Sequence, residues 1–234
     1  MRKLSIWGIT LFASIGSHGQ SLDHPPSFDL GDMWTYAYTN LAENKSPFTF
    51  TILTIKADEQ AGILYVESED PMPSARTKYI LRYEYAMAKD TAGYEYTQPG
   101  ILGDLYFKYE SSTGDFQFPL FHGKKYSVEF PAVGLNPKSF SYRGEVFGPE
   151  KVKVPAGEFD AYRIELAGQV SRPYKSDVTV GSVKKTIWFA PEIKRPVKIE
   201  YFERNRRGRL EERSVEELTR WEPQTRVPME LTLP

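Results

Sequence analysis

Few residues in this chain are of types that could do chemistry. Of its three histidines, His18, His24 and His122, only the last two lie beyond the N-terminal apolar segment. Two imidazoles are too few for a histidine-built zinc or iron site without carboxylates that the sequence does not single out. With no cysteine in 234 residues, thiolate metal sites and disulfides are chemically excluded. No Gly-x-Ser-x-Gly elbow and no phosphate-cradling glycine loop occurs. A triad involving His122 would have to be recognised by geometry, not by spacing. Glu67, Glu69 and Asp70 form the one acidic cluster of note, and glycoside hydrolysis needs only two well-placed acids. Two residues apart on a strand, however, Glu67 and Glu69 fall on one face, where a solvated acidic strand end is the better account. The reading is non-enzymatic: no catalytic residue, no cofactor site and no metal site is assigned.

The residues that remain conspicuous are aromatic. Trp34, Tyr36 and Tyr38 alternate within one short stretch. Tyr79, Leu81, Tyr83 and Tyr85 do the same in the most regular alternation of the chain, with Lys78, Arg82 and Glu84 on the opposite face. Tyrosine suits a dry core poorly, because each hydroxyl needs a partner or water. These seven residues are therefore the candidate lining of an apolar concavity that is part core and part pocket.

The elements that must position them are strands. Val152 and Val154 alternate with Lys151 and Lys153, then Pro155 and Gly157 punctuate, then Phe159, Tyr162, Ile164 and Leu166 resume the apolar pattern. This is the pattern of a β-hairpin with Gly157 at positive φ after a bulged turn. Polar runs closing on glycine recur at Gly62, Gly93, Gly114 and Gly208, which predicts consecutive antiparallel strands with no room for crossover helices. Residues 48–55 read as a strand whose apolar phase slips between Ile52 and Leu53, and residues 63–68 as the next. Phe116, Phe118 and Leu120 read as a continuation of the sheet. Residues 131–149, rich in Gly and Pro, read as a loop around a short element at 140–142. Residues 209–221 fit a strand or a helix, and the glycine at 208 favours the strand.

Composition sets the frame. Arg2 and Lys3 precede an apolar run and then Ser17-His18-Gly19, the pattern of a signal peptide cleaved before Gln20. The run is shorter than the roughly 20 residues a membrane span needs. The expected organisation is a signal peptide over 1–19, an extended leader over 20–30, a single β domain over 31–222 and a tail over 223–234. The hydrophobic fraction of 40% and aromatic fraction of 14% suit a globular core. No transmembrane segment is expected in the mature chain. Residues 181–234 hold 12 basic and 9 acidic side chains. A basic end could face anionic lipid or another polyanion, but acids interleave throughout, so these cations read as solvent-facing decoration of edge strands, and no nucleic-acid partner is expected.

Three motifs then stand together: Gly31-Asp32-x-Trp34-x-Tyr36, Val152-x-Val154-Pro155-Ala156-Gly157-x-Phe159-x-Ala161-Tyr162, and Trp188-Phe189-Ala190-Pro191 followed by Pro196-Val197-Lys198-x-Glu200. The set resembles a family of secreted bacterial proteins of unknown function. The fold of that family is similar to the periplasmic lipoprotein carrier proteins of Gram-negative bacteria, an open β half-barrel. The resemblance implies an all-β, strongly curved antiparallel meander with an apolar concave face, and transfers no catalytic residue. This chain lacks the lipid-attachment cysteine of the outer-membrane carrier. The function expected is that of a periplasmic or extracellular protein holding an apolar or amphipathic ligand: a lipid, an acyl chain or an exposed protein segment. The alternatives are an envelope structural or interaction module with a filled core and an envelope protein partner, and a carbohydrate-binding or carbohydrate-active β protein.

Overall fold

In the computed structural model the backbone is described for residues 21–23, 26, 29–42, 46–58, 63–70, 79–88, 91–100, 103–107, 115–132, 138–174 and 177–224, and side chains for the same residues except 53–107, 130–132 and 174. Among them are thirteen strands, a single 3-10 turn at Pro191–Ile193 and no α-helix. The strands are β1 (Met33–Asn40), β2 (Phe48–Asp58), β3 (Ile63–Asp70), β4 (Tyr79–Ala88), β5 (Thr91–Gly100), β6 (Gly103–Phe107), β7 (Phe116–Gln117), β8 (Lys125–Ala132), β9 (Lys138–Val154), β10 (Gly157–Tyr174), β11 (Asp177–Ala190), β12 (Arg195–Arg204) and β13 (Leu210–Glu222).

All pair antiparallel in one open sheet ordered β6-β5-β4-β3-β2-β1-β13-β12-β11-β10-β9-β8, with β7 paired to β5. The architecture is the expected all-β open sheet. Its meander, however, is broken once. The chain runs outward from β1 to β6, crosses to the far edge at β8, and returns to β13, which pairs with β1 through Trp34↔Trp221 and Tyr36↔Leu218. First and last strands thus meet at the middle.

Alternation explains which face is buried. On β10 the fully buried Ile164, Leu166 and Val170 alternate with Arg163, Glu165 and Gln169, and on β11 Val183, Ile187 and Phe189 alternate with Lys184 and Trp188. The outer face carries ion pairs, across strands at Arg163–Glu150 (3.2 Å) and Lys198–Glu217 (3.5 Å) and along β12 at Lys198–Glu200 (3.0 Å). Each of these exposed pairs contributes a fraction of a kcal/mol, so the fold rests on the inner face.

Several local expectations shift. Of the supposed loop over 131–149, residues 131–132 end β8 and residues 138–149 are instead most of β9, a 17-residue strand. Its glycines and proline do not break it. Gly144 makes room for the Tyr126 ring, whose atoms would lie 2.6–2.9 Å from an added Cβ, and Gly148-Pro149 sits where the β9–β10 register shifts beside Tyr162. The hairpin loop is Pro155-Ala156, closed by the pair Gly157↔Val154, so the irregularity lies at Tyr162 and not at the turn. Gly157 and Gly208 both take positive φ, +144° and +75°. Gly93 lies inside β5 opposite Ala86, and the β2 register shift falls between Thr54 and Lys56. Residues 210–222 are strand.

Candidate functional site

The candidate lining begins on β1. Trp34 and Tyr36 are 0% and 1% exposed, and the polar tip of each is satisfied. Trp34 Nε1 donates to Ile193 O at 2.9 Å, and Tyr36 Oη donates to Pro196 O at 2.9 Å. Burial pushes the Tyr36 phenol up to about 12, against the Arg195 guanidinium, which pulls it down. The Trp34 ring stacks on Trp221 at 4.7 Å, and Arg195 lies 5.3 Å from the Trp34 ring centre. Trp34 and Tyr36 thus bond, respectively, the 3-10 turn that joins β11 to β12 and the start of β12.

Asp32 completes that clasp. It is fully buried, accepts from Asp29 N at 3.0 Å and Gln224 N at 3.1 Å, and pairs with Lys194 Nζ at 3.0 Å. Lys194 is a non-glycine residue at φ +65° closing the 3-10 turn, and it also reaches Asp29 at 3.0 Å. Desolvation pulls its ammonium down, but the hydrogen bonds it donates to the Asp32 and Asp29 carboxylates, with their charge, outweigh this, so its pKa is raised. The Val152–Tyr162 motif meets the same place: Ala156 N, at the β9–β10 hairpin tip, donates to Leu218 O at 3.0 Å, and Leu218 is the β13 partner of Tyr36. The three motifs singled out in the sequence therefore converge on one clasp whose work is structural. Asp32 and Lys194 carry it. Asp32 was legible as part of a motif, while Lys194 gave no sequence signal beyond following Pro191.

The inner face of β8–β13 is filled. The crossover does not continue the sheet beyond Phe116–Gln117. Instead Phe116, Phe118 and Leu120, at 0%, 4% and 0% exposure, fold across it, with Phe116 and Phe118 against Phe189 at 5.1 and 6.2 Å. The adjoining Asp115 is buried with its carboxylate 2.6 Å from Lys185 Nζ, and Tyr126 Oη donates to Asp115 O at 2.8 Å. Desolvation raises Glu216, against the attraction of Arg195 and Lys185. Further along, buried Glu203 accepts from Tyr201 Oη at 2.7 Å, pairs with Arg172 and lies 3.6 Å from Lys138 Nζ. Burial, with Arg172 nearby, pulls the Lys138 ammonium down.

The same face changes character toward β2. Tyr38 is only half-buried, and so are Phe48 and Phe50 opposite Tyr38 and Tyr36. Their rings form a ladder: Tyr36–Phe50 at 5.4 Å, Tyr38–Phe48 at 4.9 Å and Phe48–Phe50 at 6.3 Å. Thus an aromatic row runs from a sealed core onto a partly open ledge. The pairs of β4 with β3 and β5 are regular, but the side chains of Tyr79, Leu81, Tyr83 and Tyr85, like those of Glu67, Glu69 and Asp70, lie outside the described residues. His122 is exposed, and its Nδ1 accepts from Gly148 N at 3.3 Å. His24 is outside the described residues. Among the described residues no three His, Asp or Glu side chains gather as a metal-ligand set, and no helix is long and apolar enough to cross a membrane.

No family model matches this chain, and no curated protein matches it. Two solved structures are similar to it over most of its length. One is a candidate lipoprotein from Parabacteroides distasonis ATCC 8503, 13% identical over 87% of this chain and all of the other, with a TM-score of 0.48. The second is a candidate exported protein with YmcC-like fold from Bacteroides fragilis NCTC 9343, 14% identical over 86% of this chain and 99% of the other, with a TM-score of 0.40.

Proposed function

We propose that this is an exported, non-enzymatic envelope protein that holds an apolar or amphipathic ligand on the open part of its inner sheet face. The observation that supports this is the half-buried ledge of Tyr38, Phe48 and Phe50, continuous through Tyr36 with a sealed core yet left partly exposed. Large rings that are half-exposed on a concave sheet offer stacking area at low conformational cost. Export rests on Arg2-Lys3, the apolar run and Ser17-x-Gly19. The test is uptake of a fluorescent fatty acid by the mature protein. Phe50→Ala and Tyr38→Ala should each weaken uptake severalfold while leaving the fold intact. Unchanged uptake in both variants, or none by the wild type, sinks the reading.

A second reading, an envelope interaction module with a filled core, is favoured by Phe116, Phe118 and Leu120. All three are buried, and Phe116 and Phe118 pack on Phe189 of β11. It predicts no probe uptake and recovery of a protein partner from the envelope.

A further inference from the structure

At the end of the sheet away from the clasp, β10 and β11 outrun their neighbours. The last β11–β12 pair is Ser182↔Arg204, and the last β9–β10 pair is Ser171↔Ser139, whereas β10 continues to Tyr174 and β11 begins at Asp177. Residues 177–181 therefore project past β12 by about 17 Å, at about 3.3 Å per strand residue. The notch between this finger and the β12–β13 turn is a cleft of about 820 Å³ lined by Arg172, Val180, Asn205, Arg206 and Arg207 among others.

The two sides of the notch are of different chemistry. Val178 and Val180 stand out on the finger at 54% and 38% exposure, on the same face as each other. Val180 itself lines the notch, and so do Arg206 and Arg207 of the turn, which carries Arg204, Arg206, Arg207 and Arg209 with no acid between. The turn is held in shape. Asn205 Oδ1 accepts from Arg207 N at 3.0 Å and Arg209 N at 3.1 Å, and Arg204 Nη1 donates to Gly208 O at 2.6 Å. Arg204 stacks on Phe202 at 4.8 Å. Arg172, at the base, is paired with buried Glu203. The acids that also line the notch are engaged locally: Asp177 accepts from Val178 N, and Glu211 from Asn205 Nδ2. Among the described residues no carboxylate pairs with Arg206 or Arg207, and both are exposed.

We propose that this end of the molecule docks on an anionic phospholipid surface, with Arg206 and Arg207 on lipid phosphates and Val178 and Val180 entering the headgroup layer. Exposed aliphatic residues beside unpaired guanidiniums are what such a surface rewards, since apolar insertion and charge attraction act together. A soluble anion site would gain nothing from the two valines. The proposal is independent of the aromatic ledge, which lies on β1 and β2.

The test is co-sedimentation of the full mature chain with phosphatidylcholine vesicles, with and without phosphatidylglycerol. The expected result is binding only to the anionic vesicles, weakening as salt rises. Each arginine near an anionic surface contributes about fivefold, so Arg206→Gln with Arg207→Gln should lower binding by about tenfold or more. Val178→Asp with Val180→Asp should lower it as well. Lys151→Gln with Lys153→Gln, exposed on another hairpin, should leave it unchanged. Equal binding to neutral vesicles, no binding to either, or an equal loss from the lysine pair would overturn the proposal. Full displacement by millimolar inorganic phosphate would assign the notch to a soluble anion and overturn the membrane as its occupant. Uptake of the fatty-acid probe should be unaffected by all six substitutions.

Discussion

Removing the carboxylate of Asp32 should open the clasp. Asp32→Ala takes away the acceptor of two backbone N–H groups and the partner of Lys194, at 3.0, 3.1 and 3.0 Å. Breaking a buried, hydrogen-bonded charge pair costs about 3–5 kcal/mol when the remaining charge is stranded. Here the stranding is incomplete, because the Lys194 side chain is 22% exposed and keeps Asp29. Gln224 is exposed as well, so its N–H can turn to water. The expected loss is therefore nearer the lower bound, about 3 kcal/mol. With an m-value of about 3 kcal/mol/M in urea, the midpoint should fall by about 1 M. Urea titrations followed by tryptophan fluorescence report it directly, since Trp34 bonds the same connection at Ile193. Lys194→Ala should cost less, because Asp32 keeps both backbone donors. The double variant should show a coupling of about 1 kcal/mol or more. An unchanged midpoint for Asp32→Ala, or strictly additive losses, would refute the clasp.

Three further outcomes follow from other parts of the molecule. Gly157→Ala places a Cβ at φ +144° and should cost about 1 kcal/mol in thermal or urea unfolding, with Gly157→Val worse; an unchanged midpoint for the valine variant would remove the strain argument. Glu216 has its pKa raised above 4.5 by desolvation, so the native state holds that proton to higher pH than the unfolded chain does. Its contribution is present below pH 4.5 and is lost as pH rises through the higher folded value, so Glu216→Gln should stabilise the protein at pH 7 relative to pH 4, and a parallel pH–stability curve for the variant would contradict this. N-terminal sequencing of the envelope fraction should begin at or near Gln20, whereas intact Met1 on a cytoplasmic protein would overturn export.

Strand content was legible because inner and outer residues alternate cleanly, as at Trp34, Tyr36 and Tyr38, and because Asn205 and Gly208 spell a turn. The pairing of β1 with β13 was not. It joins residues 33 and 222, and alternation names a face but not a neighbour. Nor was the plug: Phe116, Phe118 and Leu120 alternate as strand residues do, and only their burial against Phe189 distinguishes a crossover filling the core from a further strand. The length of β9 was hidden because Gly144 and Pro149 are punctuation in a loop and packing devices in a strand. Among the seven candidate lining residues, tyrosine content alone could not separate Tyr36, whose hydroxyl finds Pro196 O, from Tyr38 on the open ledge. The partner of a buried hydroxyl is set by tertiary structure.

The central claim is that the open part of the inner face holds a ligand. Native mass spectrometry of the mature protein purified from its own envelope, paired with analysis of its organic extract, tests this most directly. The account predicts an adduct of lipid or acyl-chain mass that appears in the extract and is lost in Phe50→Ala. A bare protein mass with a clean extract, while Phe50→Ala and the wild type behave alike, would contradict it.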